Sequence, residues 1–349
     1  MKTMSKIVKM GDLKIGGGNS IVIQSMTNTN TSDEDNTINQ IKKLADAGCE
    51  LVRITINTTE AAEAIKKIKK QSPIPLVADI HFDYKLALLA IKNGIDKLRL
   101  NPGNIGSDDK VREVARAAKD MGIPIRIGVN GGSLEKHILE KYKKITSDAM
   151  VDSAIYHVNL LEKNKFEDIV ISLKSSNIKI MIEAYRKISK IVDYPLHLGV
   201  TEAGTYFQGS IKSAIGIGSL LADGIGDTIR VSLTEDPVEE IKVAKEILKV
   251  LGLRANGVEI VSCPTCGRTE IDLINLAKKV EKEFEDYKVN IKIAVMGCVV
   301  NGPGEAREAD YGVAGGKGVG ILFKKGQIIK KVKENDILLE LKKMVLEES

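Results

Sequence analysis

The chain is poor in the residues that nucleic-acid-binding surfaces use. It has no tryptophan, only five phenylalanines, and no block of basic residues with interleaved aromatic side chains. Proteins that bind single strands stack the bases on aromatic rings along a basic groove. The 52 basic residues exceed the 47 acidic ones by only five, so charge alone does not indicate a polyanionic partner. We therefore expect no nucleic-acid partner.

Long apolar runs are also missing. No segment reaches the roughly 18 apolar residues that a membrane-spanning helix requires, and the first residues do not lead into the hydrophobic stretch of a signal peptide. The chain has only four cysteines, and their spacing is not that of a disulfide framework. We expect a cytoplasmic protein without a membrane partner.

Three of the four cysteines lie close together in the last quarter of the chain. Cys263 and Cys266 form a C-x2-C pair, and Cys298 follows, each thiol near glycine and proline. Thiolates bind iron, and tight turns let backbone N–H groups approach the sulfides of an iron–sulfur cluster. From the spacing alone, a zinc site and a redox-active dithiol remain alternatives. Glu305 is a candidate for a weaker fourth ligand or for a helix-start residue, and Cys49 is predicted to be a buried hydrophobe.

Short β-branched segments alternate with amphipathic helical segments from residue 20 to residue 252. The predicted strands are residues 21–25, 51–56, 76–80, 97–100, 125–129, 169–173, 196–200 and 228–232. Eight such βα units are typical of a (β/α)8 barrel, the TIM barrel. A doubly wound sheet fits less well because no G-x-G-x-x-G sequence follows the first strand.

A second, smaller domain follows the barrel pattern. We predict an α/β chain with the barrel in residues 1–253 and an α+β domain in residues 254–349. Predicted strands at 258–261 and 291–296 lead into the two cysteine segments, with a helix between them, which would place both segments at one edge of a sheet. The glycine-rich run at 312–320 lacks the Gly-Lys-Ser/Thr ending of a phosphate loop and is predicted to be a hairpin.

Polar residues gather where the predicted barrel strands end, which is where (β/α)8 barrels place their active sites. These residues are Arg53, Asp79, His81, Arg99, Asn101, Arg126, Asn130, Ser172, Lys174, Thr201, Glu202, Arg230 and Ser232. Four arginines and a lysine at one barrel mouth would form an anion site with fork-like contacts to phosphate oxygens. Alternatively, each cation could pair with a neighbouring acid, and Asp79 could neutralise Arg53 or Arg99. His197, between two leucines, is predicted to face the helix layer.

Motifs along nearly the whole chain resemble those of the 4-hydroxy-3-methylbut-2-en-1-yl diphosphate synthase family. They are IQSMTNT at 23–29, ADIHFD at 78–83, RLNPGNIG at 99–106, RIGVN at 126–130, GVTEAG at 199–204, SCPTC at 262–266 and GCVVNGPGE at 297–305. The resemblance is to the two-domain bacterial form. It implies a barrel joined to a cluster domain related to nitrite and sulfite reductase modules.

The resemblance also implies an activity in the methylerythritol phosphate pathway of isoprenoid (isoprene) biosynthesis. An oxidoreductase of this family opens the ring of 2-C-methyl-D-erythritol 2,4-cyclodiphosphate and removes water, which gives 4-hydroxy-3-methylbut-2-enyl diphosphate. Two electrons come from flavodoxin or ferredoxin, and members form head-to-tail homodimers. A [4Fe–4S] cluster on Cys263, Cys266, Cys298 and Glu305 is implied, with Glu305 as the displaceable, catalytic ligand.

The strand-end residues receive roles from the same resemblance. Glu202 is the expected proton donor or substrate-orienting acid, and the expected substrate ligands are Arg53, His81, Arg99, Asn101, Arg126, Asn130, Lys174, Thr201, Arg230 and Ser232. Two other functions remain open from the residues alone: a transferase of the dihydropteroate synthase type with a zinc ribbon, and a non-catalytic electron carrier. Iron and sulfide analysis would separate the transferase from the iron–sulfur enzyme, whereas a carrier does not explain the cationic residues at the strand ends.

Overall fold

The computed structural model of the protein describes residues 4–254, 257–285, 287, 289–299 and 308–346. The chain divides into two compact units, Met1–Arg254 and Ala255–Ser349. Within the described ranges, no helix is both long and apolar enough to cross a membrane.

A short hairpin precedes the barrel, and the sequence pattern did not predict it. Strands β1 (Val8–Met10) and β2 (Leu13–Ile15) pair in antiparallel fashion. The hairpin contributes to a small apolar cluster with the first residues of the neighbouring barrel strands, formed by Met10, Ile15, Val22, Leu51 and Val77. This cluster covers the amino-terminal end of the barrel with apolar side chains.

Eight parallel strands form the barrel of the first unit. They are β3 (Val22–Met26), β4 (Leu51–Thr55), β5 (Leu76–Asp79), β6 (Lys97–Arg99), β7 (Ile125–Asn130), β8 (Ile169–Lys174), β9 (His197–Leu198) and β10 (Thr228–Ile229). Each strand from β3 to β7 pairs with the next one along the chain, and β10 pairs with both β3 and β9. A parallel bridge between Ile171 and Leu196 joins the two ends of this sheet. The predicted barrel is confirmed.

Helices alternate with these strands. They are α1 (Glu34–Asp46), α2 (Thr59–Gln71), α3 (Tyr84–Lys92), α4 (Asp108–Asp120), α5 (Lys136–Tyr142), α6 (Ser147–Lys163), α7 (Ile178–Ile188), α8 (Tyr206–Ala222) and α9 (Pro237–Val250). Side-chain oxygens cap several of them; Thr58 accepts a hydrogen bond from the Ala61 N–H, and Thr146 accepts one from the Ala149 N–H. These caps fix where each helix starts after its strand-end loop.

The second unit contains a five-stranded mixed sheet. Its strands are β11 (Val258–Ser262), β12 (Ile291–Met296), β13 (Tyr311–Gly316), β14 (Val319–Lys324) and β15 (Gln327–Lys333), in that spatial order. The first three are parallel, and the last three are antiparallel. Helices α10 (Leu273–Phe284) and α11 (Ile337–Leu346) pack on one face. The hairpin predicted at 312–320 is confirmed by β13 and β14.

Candidate functional site

The carboxyl ends of the barrel strands surround a polar cavity of about 110 Å³. It is lined by Arg53, Asp79, His81, Arg99, Arg126, Asn130, Ser172, Lys174, Thr201, Arg230 and Ser232. The structure therefore brings together all the predicted substrate ligands except Asn101. The cavity is smaller than the roughly 300–1,000 Å³ of typical drug-sized sites. It suits a compact charged group better than a large apolar ligand.

Strand register explains why the cations converge. Side chains alternate between the two faces of a strand, so every second residue points into the barrel. Arg99 lies in register with Arg126 on the neighbouring strand, and Asn130 lies in register with Lys174. The two arginines thus occupy adjacent positions on the inner wall, and the Asn130 amide lies beside the Lys174 position.

One buried carboxylate organises part of this wall. Asp79 Oδ1 accepts a hydrogen bond from Arg99 Nη1 at 3.1 Å, and Asp79 Oδ2 lies 3.8 Å from Arg53 Nε. His81 Nε2 lies 3.3 Å from the same Oδ2 atom. Burial alone would raise the pKa of Asp79, but Arg53, His81 and Arg99 together hold it well below its usual range. Asp79 therefore stays ionised and neutralises both arginines in part.

The cavity nevertheless carries excess positive charge. Its lining holds five cationic side chains and one carboxylate. Arg126 is 1% exposed, and its Nε and Nη2 atoms have no hydrogen-bond partner among the described residues. Burial, followed by Arg230 and the other cations, lowers the pKa of Lys174 well below its usual value. Buried charges of one sign are costly unless a counter-charge is present, so the cavity is built to receive an anion.

Two glycines make room for the cationic groups. A Cβ atom at position 128 would lie 2.4 Å from Arg99 Nε. A Cβ atom at position 199 would lie 2.7 Å from the Arg230 carbonyl oxygen and 2.9 Å from Lys174 Nζ. Any larger side chain at Gly128 or Gly199 would displace these groups. The RIGVN and GVTEAG motifs therefore have a steric basis in this barrel.

Asn101 and Glu202 lie outside the cavity lining. The Asn101 side chain donates to the Gly128 carbonyl at 3.0 Å and accepts from the Gly128 N–H at 2.8 Å, so it fixes the neighbouring strand. Its contact with substrate stays a prediction. Glu202 is exposed and follows the cavity residue Thr201. Its φ of 53° is rare for a residue other than glycine, and such backbone strain is concentrated at functional sites.

Glu240 of helix α9 is a site residue that the sequence analysis missed. Its side chain is buried, accepts a hydrogen bond from Ser25 Oγ at 2.9 Å and lies 3.5 Å from Arg230 Nη2. A signal was present, since Glu240 shares the four-residue spacing of the buried residues Ala244 and Leu248. A carboxylate on the apolar stripe of a barrel helix indicates a buried partner on the strands.

A polar layer lies in the barrel interior with Arg126. Gln24, Lys97 and His197 are buried there, and the Gln24 amide, Lys97 Nζ and His197 Nε2 atoms have no hydrogen-bond partner among the described residues. His197 Nδ1 lies 2.6 Å from Thr228 Oγ1. Burial first, then Arg126, Lys174 and Lys97, lowers the pKa of His197 well below its usual value. His197 therefore lies beside the interior cations and not in the helix layer, which corrects the interpretation from the sequence.

The cysteine segments lie at one end of the second sheet. Cys263 directly follows β11 and Cys298 follows β12, and these strands are parallel neighbours. The Gly297 N–H donates to Cys263 Sγ at 3.2 Å. The Glu270 N–H donates to the Gly297 carbonyl at 2.9 Å, which attaches the segment after Cys266 to the Cys298 turn.

These thiols fit the donor set of an iron–sulfur group, since backbone N–H donors accompany them. A hydrogen bond from the Arg268 backbone lowers the pKa of the exposed Cys266 thiol. In the described part of the chain, no three His, Cys, Asp or Glu side chains lie close enough to hold a metal ion as they stand. Glu305 lies outside the described residues. Cys49 is buried, and burial raises its pKa to about 11, as expected for an inert thiol.

Comparison with known proteins agrees with both units. The family model described as the GcpE TIM-barrel domain matches residues 5–245, and that of the GcpE protein C-terminal domain matches residues 259–347. Among solved structures, the barrel is similar to type I 3-dehydroquinate dehydratase from Clostridium difficile, with a TM-score of 0.52, 16% identity, and coverage of 71% of this chain and 97% of that one. At this identity the likeness shows the fold alone.

Two curated relatives match over almost their whole length, and both bear the name 4-hydroxy-3-methylbut-2-en-1-yl diphosphate synthase (flavodoxin). The Fusobacterium nucleatum protein is 71% identical over 348 residues, which is 100% of this chain and 98% of that protein. The Clostridium acetobutylicum protein is 63% identical over 334 residues, which is 96% of each chain. The chain therefore belongs to the GcpE family, the family of 4-hydroxy-3-methylbut-2-en-1-yl diphosphate synthases.

Proposed function

We propose that the chain reduces 2-C-methyl-D-erythritol 2,4-cyclodiphosphate to 4-hydroxy-3-methylbut-2-enyl diphosphate, with ring opening and loss of one water. The observation that carries this proposal is the cavity lined by five cationic side chains and one carboxylate. A cyclic diphosphate is compact and anionic, so it matches the size and charge of this cavity. The relatives that bear the name of the diphosphate synthase support the same reaction.

The cations would bind the diphosphate oxygens, and neutral groups would complete the contacts. Arg126 and Lys174 form no ion pair within 4 Å among the described side chains, so we assign them the closest contact with the diphosphate. Arg53 and Arg99 are held by Asp79, and Arg230 is held near Glu240. Further predicted ligands are His81, Asn130, Thr201 and Ser232, which line the cavity, and Asn101, which lies behind it.

A [4Fe–4S] cluster would be held by Cys263, Cys266 and Cys298, with Glu305 as the predicted fourth ligand. When bound, such a cluster supplies electrons one at a time at an iron that accepts a weak oxygen ligand. The chain's own contribution is to hold the diphosphate and exclude water from the cavity. Glu202, at the rim, would donate a proton from its carboxyl group to the departing hydroxyl.

We also propose flavodoxin as the electron donor and a homodimer as the working assembly. Flavodoxin stands in the names of the relatives, and ferredoxin is the alternative. Helix α8 exposes an apolar stripe at four-residue spacing, namely Phe207, Ile211 and Ile215, at 74%, 45% and 53% exposure. An exposed stripe of this kind is typical of an interface. The cytoplasmic location and the absence of nucleic-acid partners stay predictions.

The first experiment tests the reaction itself. The protein is purified without oxygen, its iron and acid-labile sulfide are measured, and the cyclodiphosphate is supplied with methyl viologen reduced by dithionite. We expect about four irons and four sulfides per chain, and formation of the linear diphosphate. Zinc in place of iron, or an iron–sulfur protein that leaves the cyclodiphosphate unchanged, would refute the proposal.

A second experiment tests the anion site. Arg126→Met removes a buried guanidinium while keeping an unbranched side chain, and we expect the KM for the cyclodiphosphate to rise about a hundredfold, as loss of a buried charged contact costs about 3 kcal/mol. The visible absorption of the cluster should not change. Arg116→Met, on the exposed surface of α4, is the matched control. An unchanged KM in the Arg126 variant would remove this residue from the site.

The role of Glu202 has its own test. Glu202→Gln keeps the size of the side chain but cannot donate a carboxyl proton, so we expect kcat to fall by about a hundredfold with little change in KM. Full turnover with an intact cluster would show that Glu202 is not the proton donor.

The homodimer is tested by sedimentation. Ile211→Glu places a charge in the middle of the α8 stripe and should shift the sedimentation coefficient from dimer to monomer. A wild-type protein that sediments as a monomer at micromolar concentration would contradict the dimer.

A further inference from the structure

The sheet of the second unit has an electropositive edge. From Tyr311 to Lys333 the chain contains six lysines and no aspartate or glutamate. This segment forms β13, β14 and β15, and β15 is the last strand in the order of the sheet. We define the basic edge patch as five exposed residues of β15 and the turn before it, namely Lys325, Ile328, Ile329, Lys331 and Lys333.

The patch faces solvent and not the helices. Lys330 pairs with Glu340 of helix α11, and Val332 packs against the apolar core on the helix side. Because side chains alternate along a strand, Lys331 and Lys333 point to the opposite face, where they are exposed. The neighbouring acid Glu334 accepts a hydrogen bond from the Asp272 N–H. Asp336, further on, is exposed.

The register places the patch near the cysteine segments. Lys331 lies opposite Ile321, Ile321 lies opposite Ala314, and Ala314 lies opposite Met296. Neighbouring strands lie about 4.8 Å apart, so three strand-to-strand steps place the Lys331 backbone about 14 Å from the Met296 backbone. Met296 is two residues before Cys298. A redox protein bound at this edge would therefore lie close to the thiols, and electron transfer slows steeply with distance.

Lysines on an edge strand can also serve a purely structural purpose, since they discourage pairing with other sheets. The two isoleucines oppose this explanation. Ile328 is 64% exposed and Ile329 is 51% exposed, and both lie between the lysines on the same edge. An edge shaped only against aggregation would not present apolar side chains to solvent. Exposed apolar residues surrounded by charges of one sign are typical of a protein-binding surface.

We propose that the basic edge patch docks an acidic electron-donor protein. This inference rests on the proposed function and names where its donor binds. The lysines attract and orient the acidic partner through long-range electrostatics, and the isoleucines supply apolar contact area. The binding is transient and weakens with salt, as suits a carrier that must leave after each electron.

The test compares two electron sources in one holoenzyme variant. Lys331→Glu combined with Lys333→Glu reverses two charges of the patch. We expect the KM for reduced flavodoxin to rise at least about tenfold at low ionic strength, and the difference from wild type to shrink with added salt. Turnover with dithionite-reduced methyl viologen should stay within about twofold of wild type, since a small reductant needs no docking surface.

The matched control carries the same change of charge elsewhere. Lys9 and Lys14 lie opposite each other on the β1–β2 hairpin and are both exposed, so Lys9→Glu with Lys14→Glu should leave both turnover rates unchanged. An unchanged flavodoxin KM in the patch variant, or an equal rise in the control, would overturn the proposal. A wild-type enzyme inactive with methyl viologen would instead refute the proposed function. If the patch variant loses turnover with methyl viologen, calorimetric titration with flavodoxin decides, since equal affinity for wild type and variant excludes this docking site.

Discussion

Replacing Lys97 by methionine should stabilise the barrel. Lys97 Nζ is fully buried and has no hydrogen-bond partner among the described residues. Burial, reinforced by Arg126, lowers the pKa of Lys97 well below its usual value. An unsatisfied buried polar group costs about 1–3 kcal/mol, and methionine fills a similar volume without it. We therefore expect the Lys97→Met variant to gain about 1–3 kcal/mol in the free energy of unfolding at pH 7.

The lowered pKa of Lys97 also predicts how the stability difference between the Lys97→Met variant and wild type changes with pH. Below about pH 10.4 the unfolded chain carries a protonated Lys97, whereas the folded chain with its lowered pKa binds fewer protons there. Since the unfolded state binds more protons, wild-type stability rises with pH between the lowered pKa and about 10.4. The variant lacks this contribution. Its advantage over wild type should therefore shrink as the pH rises from 7 towards 10.

Urea unfolding followed by pulse proteolysis measures this difference at pH 7, 8 and 9. Lys66→Met on the exposed face of α2 is the control, and its stability should change by no more than about 0.5 kcal/mol. The reasoning would be refuted by a variant that is no more stable than wild type. An advantage that stays constant or grows with pH would show that Lys97 keeps its proton in the folded barrel.

Three other predictions follow from the same structure. Asp79→Asn leaves Arg99 without its anionic partner, so urea unfolding should show that the free energy of unfolding falls by about 3–5 kcal/mol. The surface control Asp108→Asn should lose about 0.5 kcal/mol or less. Equal losses of stability in the two variants would contradict the pairing of Asp79 with Arg99. Because the native pKa of Asp79 is lowered, the stability it contributes is present above pH 4 and is lost as the pH falls further. Gly128→Ala would place a Cβ atom 2.4 Å from Arg99 Nε. Because this displaces the guanidinium, the KM for the cyclodiphosphate should rise about tenfold or more. A KM equal to that of the wild type would show that the guanidinium can move without cost. Cys49 should resist alkylation at pH 8 in the folded protein and react in urea, because burial raises its pKa to about 11. Mass spectrometry measures the modification. Alkylation of Cys49 in the folded protein would contradict the predicted burial of the thiol.

The barrel was predictable because apolar residues are spaced differently along its strands and along its helices. Buried parallel strands read as continuous apolar segments, whereas the helices between them carry a stripe of apolar residues. Their polar ends were equally visible, and a closed parallel barrel must bring all carboxyl strand ends to one mouth. The pattern therefore predicts that residues distant in sequence, such as Arg53 and Arg230, line one cavity, as they do in the structure.

Other features depend on how neighbouring strands are aligned with each other, which the apolar pattern of a single strand does not reveal. The hairpin β1–β2 has strands of only three residues, too short for a periodic signal. The hydrogen bonds between Asn101 and Gly128 exist because β6 and β7 are aligned so that the two residues meet. Lys97 reads as the polar first residue of a strand, and only barrel closure turns it inward. For the same reason, the sequence indicated that His197 was buried but misplaced it.

Together, these contacts explain how the fold tolerates so many cations before a ligand arrives. Asp79 partly neutralises Arg53 and Arg99, and Glu240 lies near Arg230, so three of the five cationic groups are held in place by acids of the chain. Arg126 and Lys174 form no such pair within 4 Å in the described part of the chain. A fully paired wall would have no excess charge to attract a diphosphate, and a wholly unpaired one would destabilise the barrel. We therefore expect the division between held and unpaired cations to govern both the stability of the barrel and the preference of the cavity for a ligand with more than one negative charge.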